Sequence, residues 1–211
     1  LEGSWREIRD IAVSNRIQRS IKKFVQRGDS MFVASDFGVS VYRMSKREFG
    51  DTYSNFGFSS PATVNSVVIQ GNRIWVATTQ GLATALRSSI NLTSPTSWTT
   101  YGLGKGLPSL DVKSTSLFND TLVAGTANGA AFFSADTFLV MSALAGRSIV
   151  DLEQKVNLLY ILSNAGNSYR VDTLAQLGGT AQLVSSNSGM QGNDLLLSPC
   201  SSELWVSTSD S

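Results

Sequence analysis

The chain has no histidine and one cysteine in 211 residues. The missing imidazole excludes His-based triads and His metal ligands. With Cys200 alone, neither an internal disulfide nor a Cys-rich zinc site can be built, and the residue reads as a small side chain at a strand edge. Charge is also scarce: Lys, Arg, Asp and Glu make 16% of the chain, 17 basic against 16 acidic groups. That balance gives no global pull toward nucleic acid or anionic lipid. No apolar run reaches membrane-spanning length and no signal peptide is visible. The sequence does not open on Met, and Leu1-Glu2-Gly3-Ser4 starts in mid-pattern, which gives the expectation of a processed or excised piece. Serine and threonine are abundant, 48 together, a hydroxyl-solvated surface that suits a secreted β-rich protein.

The stretch Arg73-Ile74-Trp75-Val76-Ala77-Thr78-Thr79-Gln80-Gly81-Leu82 recurs along the chain. Taking its large central residue as a marker (Phe32, Trp75, Val123, Tyr160, Trp205), the spacings are 43, 48, 37 and 45 residues, the period of propeller blades. Each unit reads as an inner strand such as Val64 to Gln70, a tight turn at Gly28-Asp29, Gly71-Asn72 or Asn119-Asp120, and a return strand such as Ile74 to Thr78. A residue trio ending in Gly38, Gly81, Gly129 or Gly166 leads into a third strand (39–42, 82–86, 130–133, 168–171). A fourth follows near 53–56, 97–101, 138–141 and 181–184. Asn15 to Arg27 carries a helical stripe (Ile17, Ile21, Phe24, Val25), yet Ile21 to Val25 aligns with Val64 to Val68. The repeat therefore predicts a strand there. Ser4 to Ile8 alternates weakly, as an outer strand would. Small residues at Ala34, Ala77, Ala124, Gly125 and Ser207 let neighbouring sheets approach, and the large residue beside them fills the wedge.

The expected fold is an all-β propeller of four-stranded antiparallel blades, about four plus a partial one, forming part of a larger ring. The approximate blades are 12–57, 62–102, 110–142, 147–185 and an incomplete 193–211. The apolar faces beyond Trp205 call for more strands or for a partner.

Trp75 to Leu82, followed by Trp98-Thr99-Thr100-Tyr101 and Gly106-Leu107-Pro108-Ser109, resembles the bacterial two-component regulator propeller repeat. Phe37-Gly38-Val39-Ser40-Val41-Tyr42 with Glu48-Phe49-Gly50-Asp51-Thr52-Tyr53, and Asn91-Leu92 before Trp98, is similar to the N-terminal propeller of secreted two-propeller proteins of Bacteroidetes and Chlorobi relatives. Some of those are linked to type IX secretion and cell-surface sugar attachment. The third and fourth units depart from the pattern by lacking the tryptophan, and the fourth has Asn167 where leucine is usual. The resemblance implies a non-enzymatic extracytoplasmic binding or assembly module, in the periplasm or on the surface of a Gram-negative-type bacterium. The alternative it implies is the oligosaccharide-sensing propeller of a hybrid two-component histidine kinase.

Loops entering the inner strands are expected to line the binding face, with Asn65, Asp111, Lys113, Asp151 and Asp194 as candidate ligand contacts and no catalytic residue, metal or cofactor. Expected partners are proteins or the remaining blades, with an anionic glycan or lipopolysaccharide as the small-ligand option, and no nucleic acid. Glycoside hydrolysis would need two of the aspartates facing across a sugar, whereas Asp near a strand start usually caps a turn. Ser35-Asp36-Phe37-Gly38 lacks the Thr-Trp of a sialidase aspartate box. Gly102-Leu103-Gly104-Lys105-Gly106 lacks the Gly-Lys-Ser/Thr ending of a phosphate loop and reads as an inter-blade crossing. The basic cluster Arg16, Arg19, Lys22, Lys23 and Arg27 reads as a solvated edge, with an anionic ligand as the sharper alternative. Tyr42, Trp98 and Tyr101 read as filler between blades before sugar platforms.

Overall fold

The computed structural model describes residues 20–198 and 200–210. The strand expected at Ser4 to Ile8, and Arg16, Ile17 and Arg19, lie outside them. Four four-stranded antiparallel sheets follow in chain order: β1 (Ile21–Arg27) to β4 (Glu48–Tyr53) with β2 (Ser30–Ser35) and β3 (Gly38–Arg43); β5 (Val64–Gln70), β6 (Arg73–Thr78), β7 (Gly81–Leu86) and β8 (Thr99–Tyr101); β9 (Val112–Phe118), β10 (Thr121–Thr126), β11 (Gly129–Ser134) and β12 (Thr137–Val140); β13 (Ser148–Lys155), β14 (Leu158–Ala165), β15 (Ser168–Leu174) and β16 (Gln182–Ser188). β17 (Met190–Leu197) and β18 (Leu204–Asp210) form a fifth, two-stranded sheet. The helical stripe thus loses to the repeat, since Ile21–Arg27 is a strand paired with β2. The fourth strand of the first unit runs over Glu48–Tyr53, upstream of the expected 53–56. Asp29 draws it back by accepting bonds from the Ser45 amide (2.7 Å) and hydroxyl (2.5 Å), which tightens the turn between β3 and β4.

Turn chemistry explains most of the pattern. In the first three sheets the second strand ends on a hydroxyl that donates to the carbonyl of the glycine opening the third: Ser35 to Gly38, Thr78 to Gly81, Thr126 to Gly129, at 2.8–3.0 Å. Gly81 stands at φ +124°, and a Cβ there would lie 2.3 Å from the Tyr101 carbonyl oxygen, so no larger residue fits. The fourth sheet breaks this rule. Its β14–β15 hairpin runs two residue pairs further (Asn164 with Tyr169, Ala165 with Ser168), so Gly166 sits in the turn at φ +57° and Arg170 takes the place of the glycine. Val156, in the β13–β14 turn, holds φ +54°, a left-handed conformation that costs a β-branched residue energy.

The apolar core is divided among the sheet boundaries. One cluster joins sheets one and two (Phe32, Ala34, Val64, Val76), another sheets two and three (Trp75, Ala77, Val112, Leu122), and a third sheets three and four (Val123, Ile149, Leu152, Ile161). Gly125 approaches Ile149 so closely that a Cβ would meet its Cγ2 at 2.5 Å. At the last boundary the sizes reverse: Leu162 occupies the small position, and Gly192 opposite it would place a Cβ 2.7 Å from Leu162 Cδ1. Trp98 and Tyr101 are buried fillers, as their aromatic character suggested, and Trp98 donates to the Leu92 carbonyl at 2.9 Å. Trp205, which matches the fully buried Trp75 in register, is 60% exposed beside its cross-strand neighbour Leu196 at 64%.

Candidate functional site: the central cavity

The first strands of successive sheets pack side by side: β1 on β5, β5 on β9, β9 on β13, β13 on β17. Each carries a β-bulge at the equivalent point. The register skips Lys22, Asn65, Lys113, Val150 and Asn193, one extra residue per inner strand. A bulge leaves its extra residue outside the ladder and re-aims its side chain. All five line one cavity of about 790 Å³ bounded by the five inner strands.

Asn65, Asp111, Lys113, Asp151 and Asp194, the residues expected at the binding face, all line this cavity. Asn65 and Lys113 are bulge residues, Asp151 and Asp194 directly follow a bulge, and Asp111 precedes β9. Sequence reasoning missed Lys22, Lys23, Glu153 and Asn193, which also face it. Of the basic cluster expected on a solvated edge, with an anionic ligand as the alternative, Lys23 reaches across the cavity to Glu153 at 3.5 Å, while Lys22 lines the cavity but stays exposed and pairs with Asp36 of its own sheet at 3.4 Å. Aligning the inner strands residue by residue would have found them, because Lys22 falls on the column of Asn65 and Lys113.

Hydrogen bonds stitch neighbouring inner strands together around the cavity. Asn65 donates to the Val112 carbonyl at 2.9 Å, Ser66 and Thr115 share a bond of 2.9 Å, and Ser114 donates to Asp151 at 2.7 Å. The Leu195 amide lies between two carboxylates, 3.3 Å from Asp151 and 3.0 Å from Asp194. Burial first, then the hydrogen bond and charge of Asp151, push the Asp194 carboxyl above its ordinary value. Burial raises Glu153 likewise, opposed by Lys23. Lys113 stands 3.9 Å from Asp111. The result is a rigid polar wall offering amide, ammonium and carboxylate groups. Among the described residues no group of three or more His, Cys, Asp or Glu is arranged to hold a metal.

The other sequence candidates fall elsewhere. Asp36 accepts the Ser20 amide at 3.0 Å and serves the chain's own turn. The glycine-rich Gly102 to Gly106 segment packs on β12, where Thr137 donates to the Lys105 carbonyl at 3.0 Å. Tyr42 stacks edge-on against Phe49 at 5.1 Å. Cys200 lies exposed between β17 and β18, outside any strand edge, because the chain bends there to reverse direction. Among the described residues no helix is long and apolar enough to cross a membrane.

Comparison with known proteins agrees with the propeller fold. The family described as "TSS9, PorZ, N-terminal beta-propeller domain" matches residues 2–99. No curated protein matches the chain. Among solved structures, the extracellular domain of the hybrid two-component system BT4673 from B. thetaiotaomicron is 17% identical over 93% of this chain and 26% of that one, with a TM-score of 0.73. PorZ, an essential surface component of the type IX secretion system of Porphyromonas gingivalis, is 16% identical over 80% of this chain and 26% of its own, with a TM-score of 0.52. An ancestral GH74 enzyme is 15% identical over 90% of this chain and 27% of its own, at 0.62. The chain thus spans about a quarter of these proteins' length, and at such identity the likeness is one of fold. Residues 2–99 carry the sequence pattern of the PorZ N-terminal β-propeller family, within a run of propeller blades that continues through the described residues to Asp210.

Proposed function

We propose that the chain is a non-enzymatic, extracytoplasmic binding and assembly module of a bacterial surface or secretion system, taking its ligand in the central cavity. The observation that carries this reading is the bulge repeated in all five inner strands, which turns one side chain per blade toward a common space. Asn65, Asp111, Lys113, Asp151 and Asp194 are the proposed contacts, and an anionic glycan or lipopolysaccharide is the ligand option, whose acidic groups would have to draw Lys22, Lys23 and Lys113 from their carboxylate partners Asp36, Glu153 and Asp111. The uncovered pair Leu196 and Trp205 supports assembly, either with remaining blades of the same protein or with a partner.

Catalysis is the weaker reading, although a GH74 enzyme shares the fold. Asp151 and Asp194 both accept the Leu195 amide, at 3.3 and 3.0 Å, so the two carboxylates serve the chain's own backbone instead of standing free on either side of a sugar. Asp151 is further committed to Ser114. Ligand sensing in a hybrid two-component system is the second function reading, favoured by the 93% coverage and TM-score of 0.73 against the BT4673 extracellular domain. A membrane span with a kinase in the neighbouring sequence would support sensing, and further β modules with a sorting tail would support assembly. A glycan array probed with the wild-type chain and with Asp111→Ala and Lys113→Ala tests the ligand. Selective binding lost in both variants is expected, and binding to no sugar would count against a glycan role.

A further inference from the structure

The flank of the fourth sheet carries a second constellation, away from the central cavity. Asp172 is fully buried in β15 and receives two guanidinium groups: Arg147 through Nη2 at 2.5 Å, and Arg170 through Nε at 2.8 Å and Nη2 at 2.7 Å. In register, Ala83 and Ala131 hold the corresponding place in the second and third sheets, and Arg170 stands where those sheets have glycine. One bidentate arginine is enough to neutralise one carboxylate. The second leaves a surplus positive charge, and both guanidinium groups retain N–H donors that the ion pairs do not use.

That surplus faces a cleft of about 570 Å³ on the fourth sheet, lined by Arg147, Arg170, Ser148, Ser186 and Ser188, with no acidic residue in its lining; Ser168 also lines it, but its hydroxyl donates to the Ala165 carbonyl at 2.7 Å. The extended β14–β15 hairpin builds the far wall by carrying Ser168, paired with Ser188, past Arg170. We propose that this cleft is an oxyanion-binding site, for a phosphate, sulfate or carboxylate group held by the two arginines and the surrounding serine hydroxyls. The anchoring on Asp172 fixes the guanidinium planes before the ligand arrives, which reduces the ordering cost of binding.

The test is an NMR titration of the arginine Nε–H resonances with inorganic phosphate, in parallel with binding to phosphatidylcholine vesicles with and without phosphatidic acid. Arg170→Gln leaves Arg147 on Asp172 and is expected to weaken phosphate binding about tenfold or more, while Arg43→Gln, on the first sheet, leaves it unchanged. If Arg170→Gln lowers the melting temperature enough to unfold the chain, Arg170→Lys keeps the charge beside Asp172, loses the fork, and is expected to weaken binding as well. A phosphate response at Arg147 and Arg170 that depends on Arg170 supports a soluble ligand. A response only to phosphatidic acid vesicles, with the same dependence, supports a lipid headgroup as the source. Binding of both probes that is indifferent to Arg170, or no movement of either arginine resonance, overturns the proposal.

Discussion

Trp75 and Trp205 occupy the same place in the repeat but differ in what covers them, so truncating each to alanine separates packing between blades from any intrinsic role of the residue. Trp75 has no exposed surface; it meets Phe133 at 4.8 Å and Tyr101 at 5.7 Å between ring centroids, and its indole N–H donates to Gln70 at 2.9 Å. A tryptophan buries roughly 200 Å². At about 25 cal/mol per Å² that amounts to ~5 kcal/mol, near the top of the ~3–5 kcal/mol measured for such truncations. Trp75→Ala should therefore cost about 4 kcal/mol. Trp205, at 60% exposure, touches mainly its own sheet, and Trp205→Ala in this chain should cost no more than about 1.5 kcal/mol. Urea unfolding followed by near-ultraviolet circular dichroism measures both, and hydrogen exchange should localise the Trp75→Ala loss to the second and third sheets. Equal costs for the two variants would refute the claim that each blade is stabilised chiefly by the next.

The reversal of sizes at the last boundary predicts that Gly192→Val destabilises by about 1–3 kcal/mol through overpacking on Leu162, and that adding Leu162→Ala recovers much of the loss. A thermodynamic cycle of the two single variants and the double variant measures that coupling. Val156, left-handed and exposed in its turn, should tolerate asparagine with a gain of about 1 kcal/mol, read as a higher urea midpoint. The raised Asp194 carboxyl means that the folded chain holds this proton more tightly than the unfolded chain. Its contribution is then fully present below the ordinary aspartate pKa and falls away as pH climbs through the raised folded value. Subtracting the pH profile of Asp194→Asn from that of the wild type should expose this decline, and a difference that rises with pH would contradict it.

The repeat was legible because the turn signals and the wedge residues recur in the sequence. Gly71-Asn72 and Asn119-Asp120 mark hairpins, and Ala34, Ala77 and Gly125 mark close approaches. The fourth unit was legible only in part. Its Gly166 invites alignment with Gly38, Gly81 and Gly129, but the hairpin extends by two residue pairs, and the glycine's role passes to a turn while Arg170 enters the strand. Nothing in local composition announces that shift, since it follows from the pairing of Leu162 with Val171. The same limit applies to the cavity. Asn65, Asp111, Lys113, Asp151 and Asp194 could be chosen from their place near strand starts. Lys22 and Asn193 owe their orientation to bulges, which register reveals and hydrophobic alternation conceals.

The most direct test of the curved stack of blades is zero-length carbodiimide cross-linking with peptide mapping. Lys23 and Glu153 are 130 residues apart in sequence yet 3.5 Å apart across the central cavity. The account predicts an amide between these two side chains, formed within one molecule and abolished by Glu153→Gln. Cross-links that instead join Lys23 only to acids of its own sheet, such as Glu48, would contradict an arrangement in which the first inner strand comes back to face the fourth.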